Sequence, residues 1–481
     1  MKSSSLCTLV LMLCLAASAA AESNVPPSGA TALFNGRDLS GWYGWGTQDP
    51  TDFWKMTPEQ QADYTQKSIE GGLVDSKGDD KGDHLKAHWR VEDGELVNDG
   101  KGLYLTTAKD YGDFELWVDY KMLPLGDSGI YLRGIPQVQI WDSTDEKKFA
   151  SGANKGCGGL WNNKSEVGKF PLKRMDKPFG EWNTFHIRMI GERATVKLNG
   201  EVVVDNAPLE NFFANKKAGD LAYGKQANDA EGDAAPKLPN GFMPDPAFPR
   251  GPIQLQTHGS EIRWRNVFIR EIPADEANRE LASRAANGFV EYVNGKDLSD
   301  WQGALDSYEM REGAITCKPG KGGDLLTKEP FENGTIRIEF KLPKAGNNGI
   351  ALRTPPGGHS ANDGLELQII DSDGYNEKLA AAGNTKGLEP YQYHGGLYHC
   401  VGGKHGYLRP VGAWNFQEID VDGQKIKVTL NGTKILDVDI DSFDRSQIPH
   451  PPKGLDRRSG FIGFAGHSDP VQFRSFKVKR R

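Results

Sequence analysis

Glu366 and Gln368 stand at alternate positions of the run Gly364-Leu-Glu-Leu-Gln-Ile-Ile-Asp371, and histidines follow at His394, His399 and His405. A carboxylate can accept a proton, and an imidazole titrates near neutrality, where it moves protons or binds a metal. Alternate residues of a strand share a face. Glu366 and Gln368 therefore point away from Leu367 and Ile369. By the same rule Arg353 of Asn348-Gly-Ile-Ala-Leu-Arg353 and His467 of Gly460-Phe-Ile-Gly-Phe-Ala-Gly-His467 join them on a polar face. Arginine, amides, a carboxylate and histidine together suit the hydroxyls of a sugar. Tyr391, Tyr393 and Tyr398 lie among the histidines. Each of those histidines equally fits a plain packing role, bonded to loop backbone.

The first half carries a counterpart of this set. Arg133 closes Ser128-Gly-Ile-Tyr-Leu-Arg133, Gln139 and Asp142 belong to Gln137-Val-Gln-Ile-Trp-Asp142, and Gln256 and His258 follow Gly251-Pro-Ile-Gln-Leu. Gln137 replaces the carboxylate of Glu366, which removes a base. Trp161 of Gly158-Gly-Leu-Trp161 is the aromatic that matches the second half's tyrosine-rich segment; it either stacks on a sugar ring or closes the core.

These matches belong to an internal repeat. Phe34-Asn-Gly-Arg-Asp-Leu-Ser-Gly-Trp42 returns as Val293-Asn-Gly-Lys-Asp-Leu-Ser-Asp-Trp301, Gly180-Glu-Trp-Asn183 as Gly412-Ala-Trp-Asn415, and Leu198-Asn-Gly200 as Leu430-Asn-Gly432. The offset falls from 259 at Trp42/Trp301 to 219 at Trp89/Tyr308, which places an insertion in the first copy between those points. Residues 46–88, with Asp75, Asp79, Asp80 and Asp83, read as a solvated loop whose spacing does not match a calcium-binding helix–loop–helix. Residues 215–249 read as a second long loop.

Short alternating runs bounded by Gly, Asn and Asp predict half-buried antiparallel strands, among them residues 114–120, 185–189, 194–198, 251–256 and 262–265. Leu198-Asn-Gly-Glu201 signals a hairpin. The fold class is all-β, with two tandem sandwiches. Residues 274–286, rich in Ala, Glu and Arg, predict a short helical linker. The divisions are 1–21, 30–272, 273–287 and 288–481, the first being a signal peptide: Lys2, an apolar run and small residues at Ala17-Ser-Ala19. The mature protein is then secreted or periplasmic.

At 481 residues, with formal charge −7 and pI near 5.9, the chain offers no electrostatic footprint for nucleic acid and no membrane-spanning stretch. Cys157, Cys317 and Cys400 remain after the leader; a Cys317–Cys400 bridge is open, and no pair has zinc-ligand spacing. Nucleophile-elbow, phosphate-loop and zinc motifs are absent.

Through the runs quoted above, with Leu105-Thr-Thr107, Tyr111-Gly-Asp-Phe-Glu115 and Tyr393-His-Gly-Gly-Leu-Tyr398, both copies resemble the 3-keto-disaccharide hydrolase domain family. The resemblance covers almost all the mature chain. It implies concanavalin A-like, laminin-G-like jelly rolls and cleavage of glycosides already oxidised at carbon 3. A ketone there acidifies the hydrogen on carbon 2, so a base can start elimination of the aglycone, with water adding afterwards. On that reading Glu366 is the base, with His394 or His399 behind it. Arg353 or a divalent metal stabilises the enolate, and Gln368, Asp371 and His467 orient hydroxyls. Arg133, Gln139, Asp142, Trp161, Gln256 and His258 form a binding set in the first copy. Glu366 salt-bridged to Arg353 is the competing role for that pair. The alternative function is a non-catalytic tandem carbohydrate-binding protein.

Overall fold

The computed structural model describes residues 25–75, 77–79, 82–214, 243 and 245–481. The leader assigned to residues 1–21, Asp80, and residues 215–242 of the second long loop lie outside them. Each half is a two-layer antiparallel sandwich of an eight-stranded and a five-stranded sheet. The first half's small sheet runs Trp42–Trp45, Tyr104–Thr107, Gln254–Leu255, Asp127–Leu132, Ile135–Trp141. The second's runs Trp301–Gly303, Gly322–Thr327, Phe461–His467, Asn347–Thr354, Leu365–Ile370, in the same order. The large sheets match strand for strand as well. Two jelly rolls share one topology.

Local chemistry sets the hairpins. Leu198 pairs with Glu201 across Asn199 and Gly200, at φ 53° and 89°; Leu430 pairs with Thr433 across Asn431 and Gly432, at φ 51° and 84°. Both central residues of this tight turn need positive φ, which Asn and Gly tolerate best. The expected strand over residues 251–256 shrinks to Gln254–Leu255. Pro252 has no N–H to give the ladder. In the second copy Phe stands at the matching position, and the strand Phe461–His467 is continuous.

The insertion at residues 46–88, expected as a loop, contains helices Pro50–Trp54, Pro58–Glu70 and Leu85–His88. Thr57 and Gln60 close a capping box at the start of the second, and Pro58 takes the first helical position, where its missing N–H costs nothing. Phe53 and Tyr64 from this insertion pack on Tyr43 and Trp45 of the small sheet.

Between the sandwiches, helix Ala274–Ser283 buries Ala277 and Leu281 against Ile190 and Ile272 of the first half and Phe416 of the second. Its Glu276 and Glu280 bind Arg188 and Arg270, and Asn278 donates to Glu339 and to the Trp414 carbonyl. Cys157, Cys317 and Cys400 are all free thiols. Among the described residues no helix is long and apolar enough to cross a membrane.

Candidate functional site

The site is the face of the second copy's five-stranded sheet that points away from the core. Leu365, Leu367 and Ile369 enter the core, so Glu366 and Gln368 face outward. Ile350 and Leu352 turn Gly349 and Ala351 outward on the next strand; Ile462 and Phe464 do the same for Gly463, Ala465 and His467. Leu325 does so for Asp324. The floor of this face is thus Gly349, Ala351, Gly463 and Ala465, with Asp324, Glu366, Gln368 and His467 around it. A Cβ at position 349 would collide with the Glu366 carboxylate, which lies across that glycine.

Glu366, with a side chain 1% exposed, accepts a 3.2 Å hydrogen bond on Oε1 from His467 Nε2. Its Oε2 is buried and meets no donor in the protein, as are Gln368 Oε1 and Asn347 Oδ1 on the same face. Buried oxygens without donors are unfavourable and await a partner. The Glu366 carboxylate holds the His467 proton more firmly than usual. Asp324 accepts from the Ser360 amide at 2.7 Å and its Oγ at 3.0 Å, at the start of helix Ser360–Asp363, which lies over the sheet. Burial, opposed by those hydrogen bonds and assisted by the Glu366 charge, moves the Asp324 carboxyl upward. Sequence reasoning passed over Asp324; its signal was the step from Asp324 to the core residue Leu325 inside a glycine-rich run.

Residues 395–398 add an edge to this sheet. Gly395 N–H bonds the Gln368 carbonyl at 2.9 Å, Tyr398 N–H bonds the Glu366 carbonyl at 2.9 Å, and Leu397 bridges Leu367. Leu397 is in the core, so Tyr398 shares the outer face with Glu366. His399 follows at φ 64°, close enough for Glu366 to act on its titration.

His394 and Arg353 lie elsewhere. His394 is buried behind the sheet, stacked on Phe340; its Nδ1 takes the Ile370 N–H and its Nε2 meets Gln417 Oε1 at 3.0 Å. Burial holds its pKa down to about 4. Arg353, expected beside Glu366, has φ 53° at an irregularity in its strand and crosses to the other sheet, bonding Gln424 and the Gly423 carbonyl. That rules out a salt bridge with Glu366. Arg133 at φ 55° makes the matching strut in the first copy, to the Gly191, Phe248 and Gly112 carbonyls and Asp113. Asp371 accepts from the Ala345 and Gly374 amides, and Asp142 from Leu125 and Thr144, so both carboxylates cap turns.

On the first copy's equivalent face, Gln137 and Gln139 bond each other, and Gln139 bonds Asp127 at 2.9 Å. Gln256 reaches Tyr104, and Tyr104, Tyr131 and Phe213 pack together over the sheet. His258 pairs with Asp127 at 3.0 Å. Trp161 donates to the Ser151 carbonyl and meets Trp141 edge-on. Two cavities of about 720 and 630 Å³ lie between the sandwiches. Arg133 and Arg409 line the first; Arg133 is engaged within the first half, and Arg409 bonds Asn278 of the linker helix and Asp113 of the first half, so the carboxylate–histidine pair marks the better candidate. No cluster of three or more His, Cys, Asp or Glu that could hold a metal occurs among the described residues.

A family model described as a 3-keto-alpha-glucoside-1,2-lyase-like domain matches residues 29–270 and again 288–479. A 3-keto-disaccharide hydrolase of Bacteroides thetaiotaomicron is 24% identical over 253 residues, 44% of this chain and 85% of that protein. A Parabacteroides distasonis structure named provisionally as a glycosyl hydrolase is 24% identical, with a TM-score of 0.37 over 41% of this chain and 96% of its own. A carbohydrate binding module from Bacillus subtilis is 13% identical, with a TM-score of 0.21 over 40% of this chain and 95% of its own.

Proposed function

Because the chain belongs, in both halves, to the 3-keto-alpha-glucoside-1,2-lyase-like domain family, we propose that it is a carbohydrate-active enzyme that cleaves 3-keto glycosides, with the chemistry in its second sandwich. The observation that carries this reading is the Glu366–His467 pair, in which one carboxylate oxygen is held and the other is buried and unmatched. Oε2 is the oxygen left to take the proton from carbon 2. The enolate that forms needs positive charge or a donor nearby. Arg353 points into the sandwich, so that role falls to His467, whose proton the neighbouring carboxylate holds. Gln368 Oε1, Asn347 Oδ1 and the Asp324 carboxyl accept sugar hydroxyls. The aglycone leaves from carbon 1 with the electrons of that bond and takes up the proton that Glu366 accepted; water then adds across the carbon 1–carbon 2 double bond, its hydroxyl to carbon 1 and its proton to carbon 2. Asp371 and His394 are positioning residues for the loop and strand rather than groups that touch substrate.

The test is turnover of a 3-keto glucoside bearing a chromogenic aglycone, with and without chelator, against the unoxidised glucoside. Release from the keto substrate alone supports the reading; binding of both glucosides without release would favour a carbohydrate-binding protein instead. Export rests on the N-terminal segment alone. Cell fractionation of the full chain and of one lacking residues 1–21 tests it, with loss of the extracytoplasmic fraction expected for the second.

A further inference from the structure

We propose that Tyr391, Tyr398, His399 and His450 form a subsite for a ring-shaped leaving group, which rests on the reading of Glu366 as the base. Tyr398 stands beside Glu366 on the same face, fixed there by its amide bond to the Glu366 carbonyl. Its ring lies 5.5 Å from Tyr391 at 83° and 4.2 Å from His399; His399 in turn lies 5.9 Å from His450. Four rings from three chain segments thus gather next to the carboxylate. None of the four belongs to the core.

The turn is built to keep them there. Leu397 N–H and the Val401 carbonyl close it at 2.9 Å, and His399 takes a left-handed φ of 64°, a conformation that costs energy for a non-glycine residue. Gly396, opposite Gln368, adds no side chain above the floor, where a Cβ would meet the Tyr391 carbonyl. The wall is therefore placed on the edge strand's side, while the small residues Gly349, Ala351 and Ala465 lie on the other. His467 and Tyr398 lie on opposite sides of Glu366, so a sugar ring with carbon 2 at Glu366 Oε2 and its carbon 3 oxygen turned to His467 has its carbon 1 substituent beside the wall. Flat or puckered rings gain by stacking on aromatic faces, whereas a methyl group cannot span them. The first copy has Trp161 at the Tyr398 position, and its indole is bonded to backbone.

The experiment compares kcat/KM for the methyl, benzyl and glucosyl 3-keto glucosides. Methyl and benzyl leaving groups are of similar basicity, so their ratio reads binding. The full chain is expected to favour benzyl over methyl by about tenfold, and Tyr398→Ala to bring that ratio close to one, with Tyr398→Phe preserving it. The glucosyl arm tells a sugar leaving group from an aromatic one. Equal use of benzyl and methyl by the unaltered chain, or a Tyr398→Ala ratio equal to the parent's, overturns the proposal. Should no keto glucoside turn over, the catalytic reading fails by itself. Ligand-observed NMR with benzyl glucoside then decides the subsite: binding lost in Tyr398→Ala supports it, and no binding to the parent overturns it.

Discussion

The two small sheets have the same strand order and opposite contents. Aligned on Leu255/Phe464 and Val138/Leu367, the first copy places Gln254, Gln256, Tyr131 and Tyr104 where the second has Gly463, Ala465, Ala351 and Asp324. The first face is thereby filled by its own side chains, with Tyr104 and Tyr131 packed under Phe213. The second is cut down to glycine and alanine around a carboxylate. Gln137 and Glu366 differ by one functional group, yet the steric difference around them is larger. A fold tolerates either content because the core side of each strand is unchanged.

Changing Glu366→Gln should have the largest effect, about a 10³-fold fall in kcat with KM little changed, the size expected for losing a general base. The reverse change, Gln137→Glu, should give the first sandwich no activity, because Tyr104, Tyr131 and Gln256 still occupy its face. A Gln137→Glu, Glu366→Gln double variant that recovered turnover would sink the steric half of the comparison.

Acid should separate the halves next. His394 stands where the first copy has Cys157: the Ile370 amide meets His394 Nδ1 as the Trp141 amide meets Cys157 Sγ. The native His394 value of about 4 lies below the ordinary imidazole value near 6.5. The unfolded chain therefore binds a proton between those limits that the native state refuses. Stability is complete above pH 6.5 and falls as pH drops toward 4, by roughly 3 kcal/mol in all. Hydrogen exchange at pH 7, 5.5 and 4.5 should show the second sandwich loosening first, and a uniform loss across both halves would refute it.

Ala465→Gln plants the first copy's Gln256 on the second copy's floor. Ala465 is only 2% exposed, so overfilling should cost the free protein about 1–3 kcal/mol and lower its melting temperature, and a floor that receives sugar should also show a rise in KM of roughly tenfold or more. A lower melting temperature with unchanged KM would mean that the floor is packing and not site.

The repeat, the Asn-Gly hairpins and the strand alternation were readable from residue types alone, because each depends on local geometry. The outward set Glu366, Gln368 and His467 followed from that alternation. Arg353 and Arg133 did not: each sits at an irregularity with positive φ, and one displaced residue sends a side chain to the opposite face. Asp142-Ser-Thr and Asp371-Ser-Asp carried a turn-capping signal that outweighs sugar binding. Thr57-Pro-Glu-Gln60 likewise announced a helix inside a segment read as loop. The burial of His394 depended on the long-range partners Phe340 and Gln417, which no local pattern shows.

The smallest predicted effect separates the paired histidines. His467 and His258 occupy matched positions and both hold protons more firmly than usual, His467 because of Glu366 and His258 because of Asp127. A raised native value adds stability that is complete below the ordinary histidine value and fades as pH rises through the native one. Both side chains are partly exposed, 38% and 60%, so solvent screens much of that gain. The sharper readout is the titration itself, followed by NMR of the imidazole Cε1 protons. Glu366→Gln should return His467 toward the ordinary value and leave His258 where it was. If His467 titrates unchanged without the Glu366 carboxylate, the pair is not electrostatically coupled, and His467 loses its claim to carry charge for the enolate.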